Sequence, residues 1–157
     1  MAEDYYISQD ENNMASILGF EIGLADEVEF VDFDETKRTF NSVNFTIGKE
    51  FLNIYVTPGK SKVKIKPKRK GGNPYYNISI TVFHPKDRAL AAEKLFEMAR
   101  HQVIVRYKTG NGIYRLIGTH EEFGTMSVEP LNDKADGYDG YSIVVKGDYT
   151  RAPLYGA

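Results

Sequence analysis

Residues 60–68 read KSKVKIKPK, with lysine at 60, 62, 64, 66 and 68. A period of two places alternate side chains on opposite faces of an extended strand, so all five ammonium groups share one face. Like charges in such an array repel, and no protein core tolerates them unpaired. The stretch is therefore a strand with one face in water or against an anionic partner. Pro67 removes a ladder donor and places the segment at a sheet edge or strand end. Edge lysines also discourage unwanted strand pairing, which is the plainest role for such a run. With the apolar stretches on either side, residues 52–83 read as one long hairpin: strand, basic arm, a loop tip over Arg69–Pro74, and the return strand YYNISITVF at 75–83.

The rest of the chain is compatible with that strand. Short apolar alternations occur at 17–24, 28–33, 39–47, 51–57, 103–108, 113–118, 121–131 and 141–149. Thr109-Gly110-Asn111-Gly112 separates two of them and signals a tight hairpin. One amphipathic helix interrupts the pattern. Asp87 is its candidate N-cap, Leu90, Leu95, Phe96, Met98 and Ala99 its apolar stripe, and Arg100–His101 its end. The sum is an α+β domain: an antiparallel β-sandwich or partly closed barrel of about eight strands, one packed α-helix, an extended basic hairpin and an N-terminal arm. The arm is residues 1–15, which lack periodicity, and the domain is 16–157. Tyr5 and Tyr6 with Ile7 form a small apolar cluster in the arm, read as an anchor for a partner.

Charge is unevenly distributed. The net charge is only −2, yet residues 1–35 hold 11 of the 22 acids and no Lys or Arg. Residues 51–86 hold eight cations and no acid. Two such segments pair within a monomer or meet their complements on separate molecules. The candidate contact residues are Lys60, Lys62, Lys64, Lys66, Lys68, Arg69 and Lys70 on one side. On the other are Glu21, Asp26, Glu27, Glu29, Asp32, Asp34 and Glu35, with Tyr5 and Tyr6.

Several chemistries are disfavoured. The chain has no cysteine, which excludes a disulfide framework, a thiolate metal site and a Cys nucleophile. His84, His101 and His120 lack metal-ligand spacing, and Asp133, Asp136 and Asp139 do not fit a calcium loop. There is no phosphate-cradling glycine motif and no nucleophile elbow. The acidic, polar N-terminus does not read as a signal peptide, and no apolar run is long enough to span a membrane as a helix. The expectation is a non-enzymatic protein without metal or cofactor. An alternative is weak, sequence-blind nucleic-acid binding by the Lys60–Lys70 stripe beside Tyr75 and Tyr76. A surface module for glycan is a third reading, permitted by 11 Tyr and 9 Phe but weakened by the absence of Trp.

The segments ILGFEIGLADEVEFVDF, TFNSVNFTIGKEF, IYVTPGKSKVKIKPKRKGGNPYY, FHPKDRALAAEKLFEMARHQVIVRY and YRLIGTHEEFG cover most of residues 17–124. In overall pattern the chain resembles small structural proteins of tailed phages and prophages of Bacteroidetes-type bacteria. It is similar in plan to tail-tube, tail-completion and neck proteins. The resemblance implies a virion subunit, assembled in the host cytoplasm into a ring or tube. Its partners would be copies of itself and other virion proteins, with nonspecific DNA contact and no membrane. Ring-forming subunits need heterologous contacts, and two oppositely charged segments supply such a pair.

Overall fold

The computed structural model describes residues 17–57, 59–85, 89–133 and 138–156. The N-terminal arm with Tyr5 and Tyr6, the proposed Asp87 cap and residues 134–137 lie outside the described residues.

The strands are β1 (Ile17–Leu24), β2 (Val28–Asp34), β3 (Thr39–Phe45), β4 (Leu52–Ile54), β5 (Lys62–Lys70) and β6 (Asn73–Pro85). After the helix α1 (Ala89–Met98) come β7 (Gln102–Thr109), β8 (Tyr114–Ile117), β9 (Gly124–Asp133), β10 (Tyr138–Tyr149) and β11 (Leu154–Gly156). A single 3-10 turn, Ala25–Glu27, joins β1 to β2. The protein is thus β-rich with one helix, in an α+β arrangement.

All 11 strands belong to one sheet, and its main path runs β2-β3-β11-β8-β7-β9-β10-β6-β5. β1 leaves this path, pairing with β7 on one side and β4 on the other. The sheet is open and mixed, without clear barrel closure. Two expectations are corrected here. The first concerns strand number and direction. The C-terminal RAPLYGA contributes β11, which lies parallel to β3 and antiparallel to β8, so the sheet is not purely antiparallel. Three residues are too few for a periodicity signal, and what holds them is the burial of Leu154.

The second correction concerns the hairpin. β4 pairs with β1 and not with the return strand, so the hairpin proper is 62–85. Its tip is a two-residue turn at Gly71-Gly72, not a six-residue loop, because Lys70 pairs with Asn73 and Arg69 with Pro74. Both glycines have positive φ, 59° and 86°, the geometry of a type I′ turn that only such residues adopt without strain. A two-residue turn makes Lys70/Asn73 a hydrogen-bonded pair, so Arg69/Pro74 and Pro67/Tyr76 fall at non-bonded pairs. Both prolines are therefore accommodated by register.

β7 is the hub. Its segment Val103-Ile104-Val105 is fully buried, which means that both of its faces are covered. Val103, Val105 and Tyr107 point into the larger core with Phe20, Ile22, Ile78, Ile80, Val82, Ile143 and Val145. Ile104 points the other way, into a smaller cluster with Val31, Phe40, Leu116 and Leu154. α1 covers the larger core with a narrower stripe than expected. Leu95 and Met98 are buried and Ala91, Ala92 and Ala99 pack beside them, whereas Leu90 and Phe96 stay exposed. The alanines let the helix lie close, and the larger side chains flank that contact line.

Two close-packed positions yield predictions. A Cβ on Gly140 would lie 2.2 Å from the His84 carbonyl oxygen and 3.0 Å from Pro85 Cα, across the β10–β6 ladder. Gly140→Ala is expected to cost about 1–3 kcal/mol by overpacking, read from urea unfolding. Tyr149 is buried, and its hydroxyl has no hydrogen-bond partner among the described residues. Burial first, then the charges of Glu122 and Asp148, push its pKa well above the ordinary 10.0. Burial likewise raises Tyr107. The neutral phenol is thus the form that folds. Stability is unaffected below the unfolded-state value near 10 and falls as pH rises beyond it. Tyr149→Phe is expected to keep or slightly raise stability at pH 7 and to weaken the alkaline loss, measured by urea midpoints from pH 7 to 11.

Candidate functional site: two charged ends of one sheet

The predicted cationic segment becomes the terminal strand of the sheet. In β5, Lys62, Lys64, Lys66, Lys68 and Lys70 pair with Thr81, Ser79, Asn77, Tyr75 and Asn73 of β6. Directly paired residues share a face, so these five lysines, four small polar partners and Tyr75 form one surface. All five are exposed. Their spacing is about 6.8 Å, twice the antiparallel rise per residue. Lys60 is not among them: it precedes β5, and its ammonium lies 5.2 Å from the ring centre of Phe83. Arg69 alternates with Lys68 and Lys70 and therefore belongs to the opposite face. Tyr75 and Tyr76 separate in the same way. Tyr75 accompanies the lysines, while Tyr76 packs against the larger core.

The acidic segment becomes the other end of the path. β2 is the terminal strand there, with Glu29 and Asp32 exposed. The acids around it divide by partner. Glu21 accepts from Arg106 Nε at 3.1 Å and also from Arg106 Nη2, and Arg106 lies 4.4 Å over the Phe51 ring. Asp26 accepts from His101 Nδ1 at 3.1 Å, which ties the 3-10 turn to the end of α1. Glu27 meets Lys49 at 3.8 Å, and Glu35 meets Arg151 at 2.8 Å. Asp34 accepts from the Thr36 and Lys37 amides, closing the β2–β3 turn. Asp32 accepts from Asn41 Nδ2 at 3.4 Å. None of the ion pairs of Glu21, Asp26, Glu27 and Glu35 reaches the 60–70 segment.

Sequence reasoning missed the groups that serve these acids. Arg106 and Arg151 stand 85 and 116 residues from Glu21 and Glu35, so no local pattern links them. It also missed His120, whose Nδ1 accepts the Val31 amide at 3.1 Å while its ring sits 5.1 Å from that of Phe30. His120 thus covers part of the β2 edge, a common way to blunt strand addition.

Other sites are less suggestive. An apolar pocket of about 590 Å³ lies between α1 and β4, lined by Leu24, Leu52, Ile54, Tyr55, Leu90, Leu95 and Met98 with His84 and Glu97 among its polar members. His84 Nδ1 is held there by the Tyr55 carbonyl at 2.7 Å. Among the described residues, no group of three or more His, Asp or Glu is placed to hold a metal. Among the same residues, no helix is long and apolar enough to cross a membrane.

Comparison with protein-family models, with curated proteins and with solved structures finds no match. The molecule is defined by its fold class, a β-rich α+β protein with one open sheet, and by a pair of oppositely charged strands at the ends of that sheet's main path.

The division of the acids is testable in the monomer. Glu21→Ala is expected to lower stability by about 1 kcal/mol, since it strands a half-buried guanidinium. Glu29→Ala and Asp32→Ala are expected to stay within about 0.5 kcal/mol of the parent, as surface changes do. Urea unfolding at pH 7 checks all three.

Proposed function

We propose that this protein is a non-enzymatic structural subunit, of the tail or neck type of a phage virion, that assembles into a ring or tube. The observation that carries this reading is the placement of opposite charge on the two terminal strands of a single open sheet. The main path of the sheet ends on two strands with unpaired backbone groups, β2 and β5, while β4 ends the β1 branch, and each such edge is a template for another strand. Here one edge strand carries Glu29 and Asp32, and the other carries five exposed lysines. A contact that joins unlike edges is heterologous, so it repeats around a ring or along a tube, whereas like edges repel. The pattern of the sequence, which resembles tail-tube, tail-completion and neck proteins, supplies the virion context.

In this mechanism the chain performs no chemical turnover. Charge steers the cationic strand of one copy to the acidic strand of the next and sets its direction. Backbone pairing and the apolar side chains exposed near the edges, Phe30 on β2 and Ile65 on β5, then add short-range contact. His120 must be displaced from the Val31 amide, or the incoming strand must pair beyond it. Such displacement limits assembly to a partner with enough contact to offset the lost hydrogen bond, which guards against random edge pairing.

A charge swap tests the reading. K64E/K66E and E29K/D32K are each expected to sediment as monomers under conditions in which the parent forms larger species. An equimolar mixture of the two variants is expected to restore association. Sedimentation velocity gives the sizes, and negative-stain images show whether the species are rings or tubes. A parent chain that stays monomeric at high concentration and with virion partners overturns the proposal.

A further inference from the structure

The lysine ladder extends beyond its own strand. β10 lies on the far side of β6, and its Lys146 pairs with Ser79, the residue that pairs with Lys64 on β5. Lys64, Ser79 and Lys146 therefore stand side by side across three strands on one face. Thr81 and Ser79 of β6 and Thr125 and Ser127 of β9 supply hydroxyls to the same surface. Lys146 is exposed like the five lysines of β5. Two carboxylates share this face: Asp148 of β10, which accepts from Asn77 Nδ2 at 2.8 Å, and the exposed Glu129 of β9, which pairs with Ser142 at the end away from Lys66 and Lys68.

We propose that this face of β5, β6 and β10 is a binding site for the phosphate backbone of single-stranded nucleic acid. This goes beyond the assembly reading, which uses the lysines of β5 alone: it adds Lys146 of β10 and the polar side chains of β6 between them. Three features favour this ligand. The five lysines of β5 run about 27 Å, an extended row of point charges suited to a linear polyanion. The hydroxyls and amides between β5 and β10 are short, so the surface stays open to a backbone lying across it. Tyr75 stands on the same face beside Lys68, half-buried, an aromatic side chain of the kind on which bases stack. Arg69, the one guanidinium of the hairpin, alternates onto the opposite face, so the surface offers no bidentate reader of base edges. Binding is therefore independent of sequence and governed by salt. The acids of β2 are too few to match the row: Glu29 and Asp32 are the exposed ones in that strand, against six lysines here.

The test uses the full chain and a fluorescein-labelled, mixed-sequence 20-nucleotide DNA single strand, read by fluorescence anisotropy. If about four lysines each neutralise one phosphate, the association constant is expected to fall about 50-fold between 50 and 200 mM salt. K64A/K66A/K146A is expected to weaken binding at least tenfold and to flatten the salt dependence. Tyr75→Ala is expected to weaken binding about tenfold with the salt slope unchanged. Circular dichroism confirms that the variants, all on exposed or half-exposed positions, remain folded. No binding by the parent at 50 mM salt, or undiminished binding by the triple variant, overturns the site. Duplex of the same sequence bound more tightly than the single strand, with Tyr75→Ala silent, overturns the assignment to single strands. Sedimentation of the same samples separates this site from assembly. A parent that associates but binds no DNA refutes the site and leaves assembly standing. One that binds DNA while sedimenting as a monomer upholds the site whatever the outcome for assembly.

Discussion

The burial of both faces of β7 is the constraint on which the molecule depends. A strand with one covered face alternates apolar and polar, but Val103, Ile104 and Val105 are all fully buried. Two separate layers must therefore meet on this strand. The larger core lies on one side, with β1, β6 and β10, and the smaller cluster of β2, β3, β8 and β11 lies on the other. Because β7 pairs with β1 along one edge and with β9 and then β8 along the other, it joins the β1 branch to the main path of the sheet.

An open path with β7 in its middle has two ends, and those ends hold the charged strands. An unpaired strand edge is an aggregation hazard unless it is charged, bent or covered. β5 uses lysine and Pro67, and β2 uses carboxylates, two register shifts and the His120 imidazole. Such protection and a selective docking surface rest on the same physics. Charge that repels a copy of itself attracts its opposite, so edge protection in a monomer and directional assembly are compatible in one chain. The intramolecular ion pairs sharpen this division. Arg106, His101, Lys49 and Arg151 engage four of the acids, and the carboxylates left exposed on β2 are those of Glu29 and Asp32.

Much of this was legible from local pattern. The period-two lysines identified an edge strand with one solvated face, because electrostatics alone forbids their burial. The TGNG turn located the β7–β8 hairpin, and the amphipathic stretch located α1. The hairpin tip was misread as a loop because Arg69 and Pro74 lack strand propensity, although the Gly71-Gly72 pair was itself a turn signal. β11 was invisible as a strand, since a three-residue segment owes its conformation to the neighbours that receive it. Lys60 was grouped with the ladder by spacing, but it precedes β5, where its ammonium faces Phe83. The arginine partners of Glu21 and Glu35 were beyond reach for the same reason, because ion pairs across 85 and 116 residues depend on register and not on sequence proximity.

The sequence by itself determined that the chain is β-rich with one helix, that it carries no thiol chemistry, and that a cationic strand and an acidic segment oppose each other in charge. These follow from side-chain period and composition, which act over a few residues. Only the tertiary structure decided that the two charged strands become the opposite ends of one sheet and that Lys146 joins the lysine face. It also decided that His120 covers Val31 and that Glu21 is committed to Arg106. Those outcomes rest on which strands become neighbours, and that choice is made by the non-local burial of β7.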